Sequence, residues 1–519
     1  MTNASAGFGA ASRIHFAPRR NWINDPNGLV FHKGRYHLFF QHNPDGIEHT
    51  NMSWGHASSA DLVHWDEHPL ALRYDDEAEI YSGSVVYDEQ GTAGFGPALV
   101  AVYTSASRQR DRQAQAIAYS TDDGETWTQY EGNPVLDRGS REFRDPKVFR
   151  YSGEAGEYWV MVTVEAIERR VLLYRSDDLK EWAYLSDYGP AGAIGGVWEC
   201  PDLFPLAVDG DPSDVRWVLL ISLTMGSVAG GAGTQYVVGS FDGTTFRPDV
   251  PRPGLISPVS IDGLPSREEL DACDWLDFGR DNYAGVTFSG LPDEDRTLIA
   301  WMNNWDYARS MPYREDDPRR GIMTLARRLS LVAVDGRPRL RQTPVVPETS
   351  ELASVEDVRA HDLTRLPLSL PECARVDLAI ELDEAHSVVV RLRHDDEGRG
   401  GVELAYDRRS GRLGIDRSAV VGDFPPSFAS VQSTLTAGGS RLALTLWIDV
   451  TSIEAFADDG VAVLTDLLDA AAGDAVSVEG LGGSVRIERL VVSTPVPASA
   501  STAAPAATAT SAAASASAA

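Results

Sequence analysis

One loose motif recurs through the first half of the chain and constrains its fold more than any other feature: a serine and an acidic turn closed by a ring. It reads Ser59-Ala60-Asp61-Leu62-Val63-His64-Trp65, then Ser120-Thr121-Asp122-Asp123-Gly124-Glu125-Thr126-Trp127, then Ser176-Asp177-Asp178-Leu179-Lys180-Glu181-Trp182. A weaker copy is Ser240-Phe241-Asp242-Gly243-Thr244-Thr245-Phe246. The interval is about 60 residues, enough for one four-stranded sheet per repeat, and sheets repeated at that period stack radially. Between the motifs lie short β-branched or aromatic runs bounded by turn residues, such as Tyr36 to Gln41, Leu99 to Thr104, Tyr158 to Val164 and Trp217 to Leu223. Helical periodicity is scarce, so the chain reads as all-β. Residues 14–345 hold five such units, which predicts a five-bladed β-propeller.

Beyond residue 350 the repeat stops and plain alternation begins. Val376, Leu378, Ile380 and Leu382 face one way, with Arg375, Asp377 and Glu381 between them. Further strands over Val388 to Arg393, Val402 to Tyr406, Leu442 to Val450 and Val461 to Leu468 predict a C-terminal β-sandwich domain over 350–494. Residues 495–519 are almost entirely Ala, Ser, Thr and Pro, too little apolar surface to fold, and read as a disordered tail.

A net charge of -30 repels phosphate backbones and anionic lipid, so neither nucleic acid nor membrane is the expected partner. A neutral substrate fits better. No apolar run is long enough to span a bilayer. The N-terminus has neither a basic segment nor an apolar one, so no secretory signal is visible. Three scattered cysteines, Cys200, Cys273 and Cys373, make neither a disulfide framework nor a zinc site. Nearly all positive charge is arginine, with lysine only at 33, 147 and 180, a bias of composition rather than a site.

Three acidic motifs stand at intervals close to whole repeats: Trp22-Ile23-Asn24-Asp25-Pro26-Asn27-Gly28, Phe143-Arg144-Asp145-Pro146-Lys147 and Trp198-Glu199-Cys200-Pro201-Asp202. Corresponding strands of a propeller point at one axis, so Asp25, Asp145 and Glu199 are expected to converge on one funnel. Acetal or ketoside cleavage needs one carboxyl protonated and one ionised, hence two different environments. Trp198, Cys200 and Pro201 offer Glu199 a partly desolvated setting that would raise its pKa and suit it to act as the acid. The amides around Asp25 would hold that carboxylate ionised as a nucleophile, and Arg144 would keep Asp145 charged. Taken singly, each motif is also ordinary turn or ion-pair chemistry; the common register is what joins them. Trp22, Trp54, Trp198, Trp301 and Trp305, with Gln41, Asn303 and Asn304, supply the rings and amides that sugars favour. The segment Trp301-Met302-Asn303-Asn304-Trp305-Asp306 is an awkward strand interior, since two amides and an acid stand between its rings.

At these motifs the chain resembles glycoside hydrolase family 32, the β-fructofuranosidases, which include invertases, inulinases, levanases and related fructosyltransferases. Met52-Ser53-Trp54-Gly55-His56, Tyr81-Ser82-Gly83-Ser84, Asp281-Asn282-Tyr283-Ala284 and Trp301 to Trp305 match in order as well. The resemblance implies a propeller joined to a sandwich and no metal or organic cofactor. It implies Asp25 as nucleophile, Glu199 as acid and then base, and Asp145 as transition-state stabiliser. Asn24, Gln41, Trp54, Tyr81, Ser82, Arg144 and Trp301 would line the fructose pocket. A retaining reaction implies carboxyls roughly 5–5.5 Å apart.

The chain departs from the family at Leu325-Ala326-Arg327-Arg328-Leu329-Ser330, where Arg328 stands for an expected glutamate. The segment 311–320 is also individual, so the leaving-group side of the pocket is expected to differ. The Asn303-Asn304-Trp305 form of the strand resembles fructan-cleaving members, which gives a hydrolase acting on levan, inulin or sucrose as the expectation. Intramolecular transfer to a cyclic difructose dianhydride is the alternative, and a non-catalytic sugar-binding propeller a remote one, since a lectin does not need three acids. Because fructan is extracellular, secretion is expected despite the missing signal.

Overall fold

The computed structural model describes residues 12–154, 156–250, 254–257, 265–312, 317–420, 423–469 and 473–496. Its first half is built from four-stranded antiparallel meanders. The first comprises Asn21–His32, Arg35–His42, Ser53–Ser59 and Trp65–Glu67. The second comprises Ala78–Asp88, Ala98–Ser107, Arg112–Ser120 and Thr128–Gln129, and the third Phe143–Gly153, Gly156–Glu165, Arg170–Ser176 and Ala183–Tyr188. The fourth comprises Trp198–Val208, Asp211–Leu223, Gly233–Phe241 and Phe246–Pro248. The fifth holds Tyr283–Thr287, Thr297–Trp301, Arg327–Val334 and Arg337–Pro344, and touches the fourth through one parallel pairing, Val208 with Leu331. The opening strands of the five sheets lie against one another in a ring, the fifth returning to the first. Ser289 closes it, donating from its N–H to the Leu29 carbonyl at 2.9 Å and accepting from Phe31 N–H at 2.8 Å. This is a five-bladed propeller.

The repeated motif is the turn between the third and fourth strands of blades one to four. Its aspartates cap the turn: Asp61 Oδ1 accepts from Val63 and His64 N–H, Asp122 from Thr126, Asp178 from Lys180 and Glu181, and Asp242 from Thr244 and Thr245. Although desolvation acts the other way, the donors around Asp61 hold its carboxyl down at about 2. The fifth blade has no such turn. Between its second and third strands it carries residues 302–326 instead.

After the ring come two packed six-stranded sheets. One runs in the order Thr349–Ala360, Val485–Pro495, Ala374–Glu381, Arg441–Asp449, Ser452–Ala457, Ala462–Leu467. The other runs Thr364–Ser369, Ala475–Leu481, Ser387–His394, Val402–Asp407, Arg412–Asp416, Val431–Leu435. Val376, Leu378 and Ile380 alternate inward to meet Val390, Leu404, Ile415 and Ile487 in one core. Each such side chain contributes about 1.5–3 kcal/mol by leaving water. Of the stretch 495–519 expected to be a disordered tail, Pro495 pairs with Thr349 and Val496 N–H reaches Glu348 O at 2.8 Å; residues 497–519 lie outside the described ones. Among the described residues the one α-helix is Arg267–Asp271, started by a Ser266–Glu269 capping box.

Buried ions join ring to sandwich. Arg327 is fully buried, with Nη2 2.6 Å from Glu454 and Nη1 2.9 Å from Asp277. The expectation that the Arg327-Arg328 run alters the rim of the pocket is corrected here. Arg327 is interface, and the half-exposed Arg328 side chain reaches Asp295 at 3.7 Å. Both belong to a strand outside the inner ring, so neither lines the cavity. Of the individual segment 311–320, residues 313–316 lie outside the described ones.

Candidate functional site

All five inner strands lose regular pairing at one height. The register slips between Ile23 and Pro26, between Tyr81 and Gly83, opposite Val162 and Val164 at Arg144 to Lys147, between Glu199 and Asp202, and between Tyr283 and Val286. The motif prolines Pro146 and Pro201 fall within these bulges, where a missing N–H loses no ladder bond, and Pro26 borders one, paired with Phe40. Asp145, Cys200 and Ala284 take positive φ there, 62°, 47° and 55°. A bulge bends its strand and re-aims the side chain, and here it turns each acid toward the axis.

The acids gather around one cysteine. Cys200 Sγ stands 3.7 Å from Asp25 Oδ2 and 3.8 Å from Asp145 Oδ2, while its backbone N–H donates to Asp145 Oδ2 at 3.0 Å. Ser82 Oγ donates to Asp25 Oδ2 at 2.7 Å, and Asp25 Oδ1, though buried, has no hydrogen-bond partner. Arg144 Nη2 donates to Glu199 Oε1 at 3.0 Å and the Tyr283 hydroxyl donates to Glu199 Oε2. Glu142 and Gln113 hold the other end of the Arg144 guanidinium at 2.5 and 3.2 Å. Asp25, Asp145 and Glu199 face one cavity of about 370 Å³ with Asn24, Gln41, Tyr81, Ser82 and Arg144.

Three electrostatic expectations change, for Glu199, Asp25 and Asp145. Trp198 turns away from the cavity, its indole N–H bonded to Ala193 O at 3.0 Å, so Glu199 has polar neighbours instead of an apolar wall. Its side chain is 19% exposed, the least enclosed of the three acids. The desolvated carboxyls are the aspartates. Burial, then the nearby Glu199 charge, raises Asp25 to about 6, with the Ser82 and Cys200 donors opposing. Asp145 also goes up, since burial outweighs an Arg144 that is only 3.8 Å away and closer to Glu199. Arg144 therefore does not hold Asp145 in the ordinary carboxylate range.

Two expected lining residues stand behind the wall. Trp54 is fully buried, its indole N–H holding the Tyr81 carbonyl at 3.0 Å, and Trp301 is fully buried between Trp22 and Trp305. The tryptophan on the cavity is Trp305, 4.8 Å from Trp301, with Arg309 over it at 5.3 Å and His49 at its edge at 5.1 Å. The strand ends at Trp301, so the awkward amides lie in a turn. Asn304 is wholly buried there, donating to Arg280 O at 2.7 Å and accepting from Ala232 N–H at 3.0 Å. His49, Gln113, Glu142, Thr224 and Arg309 also line the cavity, and no local motif marks them.

A family model described as "Glycosyl hydrolases family 32 N-terminal domain" matches residues 15–344, and one described as "Glycosyl hydrolases family 32 C terminal" matches 340–493. A levanase of Bacillus subtilis is 38% identical over 92% of this chain and 69% of its own length. An extracellular exo-inulinase of Aspergillus niger is 37% identical over 92% of this chain and 93% of its own. Among solved structures, the exo-inulinase of Aspergillus awamori superposes with a TM-score of 0.85 at 34% identity, covering 93% of this chain and 98% of that one. A β-fructofuranosidase of Schwanniomyces occidentalis, complexed with fructosyl-erythritol, gives 0.82 at 27% identity over 94% and 98%.

Proposed function

The chain belongs to glycosyl hydrolase family 32, a glycosidase of the β-fructofuranosidase type, and from that premise we propose that it releases fructosyl units from β-fructans through a covalent fructosyl-enzyme. Asp25 attacks the anomeric carbon as Glu199 gives its proton to the departing glycosidic oxygen. Water then reverses the step, with Glu199 taking the proton back. Asp145 stabilises the cationic transition state. The observation that carries this reading is the division of labour on Asp25: one oxygen tied to Ser82 and Cys200, the other without a protein partner. A nucleophile needs both, an anchor that aims it and a lone pair left open. Glu199 is gripped on both oxygens, by Arg144 and Tyr283, which fixes where it stands relative to the departing oxygen.

Asn24, Gln41, Tyr81, Ser82 and Arg144 offer donors and acceptors for furanose hydroxyls, and Trp305 a ring for an apolar sugar face. Trp54 and Trp301 support the wall from behind. At about 370 Å³ the cavity is small, toward the lower end of the roughly 300–1,000 Å³ of small-molecule pockets, which favours a terminal unit with the chain projecting outward. Secretion follows from the same reading, since fructan lies outside cells and the Aspergillus niger relative is named extracellular. Among the described residues no helix is long and apolar enough to cross a membrane.

Chromatography of the products from levan, inulin and sucrose tests the proposal. Free fructose from levan or inulin is expected, with retained anomeric configuration in the first turnovers by NMR. Asp25→Asn and Glu199→Gln should each lower kcat by about 10³-fold or more. A cyclic dianhydride or a disaccharide as main product would replace the assigned reaction, and no released sugar from any substrate would defeat it.

A further inference from the structure

The sandwich is fastened to the catalytic ring at a place that leads directly to the cavity wall. Arg417, just after the strand Arg412–Asp416, carries a side chain only 2% exposed. Its Nη2 donates to the Tyr307 hydroxyl at 2.7 Å, and its Nη1 donates to Asp281 Oδ2 at 2.6 Å and to Leu467 O at 2.7 Å. Asp466 Oδ1 lies 3.6 Å from the same nitrogen. Tyr307 donates in turn to Asp281, whose Oδ2 also takes the Leu467 N–H at 2.8 Å. Phe428 closes the far side, its ring 4.1 Å from the guanidinium and 5.5 Å from the Tyr307 ring.

Both partners of Arg417 belong to segments that reach the reacting groups. Tyr307 stands between Trp305 and Arg309, which line the cavity. Asp281 stands two residues before Tyr283, whose hydroxyl bonds Glu199. We infer that Arg417 is a positioning residue: from the sandwich, it sets the 302–312 wall and the Tyr283 strand in register with the acids. Resting on the fructosidase reading above, this makes the second domain part of substrate recognition as well as of stability. A planar guanidinium spans Tyr307 and Asp281 together, which the point charge of lysine does not.

The test compares Arg417→Lys and Tyr307→Phe with Arg327→Lys, which loosens the other buried ion cluster of the same interface without touching the 302–312 wall. Each is measured well below its own unfolding midpoint. Arg417→Lys should raise KM for a fructo-oligosaccharide about tenfold with kcat within about threefold, because a small displacement of a binding wall weakens substrate more than chemistry. Tyr307→Phe should shift KM the same way, and Arg327→Lys should lower Tm but leave KM within about twofold. Emission from the Trp22–Trp301–Trp305 group should change in the first two and not in the third. A KM and emission in Arg417→Lys no more altered than in Arg327→Lys would overturn the inference; if Arg417→Lys does not fold, Tyr307→Phe decides. A wild type that releases no fructose would strike the fructosidase reading instead, leaving the emission comparison to judge the wall.

Discussion

In the proposed nucleophilic role a carboxylate with one oxygen anchored and one unpartnered is useful only while ionised, so the burial that pushes Asp25 up to about 6 would set an acid limit on the proposed reaction. The kcat/KM profile, which reports the free enzyme, should fall as pH drops through about 6, because protonation removes the attacking lone pair. The Ser82 hydrogen bond favours the charged form, so Ser82→Ala should move that limb to higher pH. A limb that stays in place would separate it from Asp25. The same burial penalises the folded state: a carboxyl raised from 3.8 to about 6 is neutral and harmless below the lower value but charged and disfavoured above the upper one. Asp25→Asn should consequently raise stability at pH 8 by about 3 kcal/mol, a gain that fades as the pH approaches 4 and is read from denaturant titrations at both. The acids were legible in the sequence because each sits in a motif with its own proline, in register with the repeat. Their electrostatics were not, since sequence neighbours mislead: Trp198 adjoins Glu199 in the chain yet points into another core, and Arg144 serves Glu199 more closely than the adjacent Asp145.

Among the elements, the five bulged strands decide what reaches the axis. Gly83 marks one of these bulges, and a Cβ added there would meet the Val102 carbonyl oxygen at 2.1 Å, with Tyr103 Cα at 2.6 Å. Since backbone lies on that side, Gly83→Ala should destabilise by about 1–3 kcal/mol, and displace Ser82 from Asp25, seen as a loss of kcat beyond any fall in Tm. Below the acids the strands are pinned by Lys147 and Asp202, 3.1 Å apart and buried, with Thr287 N–H on the same carboxylate at 2.7 Å. Both residues end the acidic motifs, so those motifs encode the floor as well as the chemistry. Bulges also explain what the sequence hid. Alternation assigns faces only while the period of two holds, and one extra residue exchanges them. Trp54 and Trp301, which the resemblance placed in the pocket, turn out to be its backing, while Trp305, one of the rings singled out from the sequence, and Arg309, which was not singled out, come from an irregular turn that no periodicity describes.

For the molecule as a whole, the repeat foretold the ring because four of the five blades carry the same turn at the same place, and alternation foretold the sandwich. Their junction was invisible, being made of single ions far apart in the chain. His15 is the clearest case, fully enclosed with Nδ1 2.9 Å from Asp449 and Nε2 2.9 Å from Glu454. Burial alone would strip its proton, but the two carboxylates outweigh this and raise it to about 9. Its contribution to stability is complete below the ordinary 6.5 and lost as pH rises through about 9, so Tm should fall over that interval. In His15→Gln the fall should flatten, the variant already lacking the charge at pH 7. The strap of residues 12–16 that carries this histidine also accepts from Met323 N–H at the Phe16 carbonyl, so it is secured by both the fifth blade and the sandwich. On the ribosome residues 12–16 must wait, unfastened, until translation has passed Glu454, so this strap of the propeller is tied down only after most of the sandwich has been made.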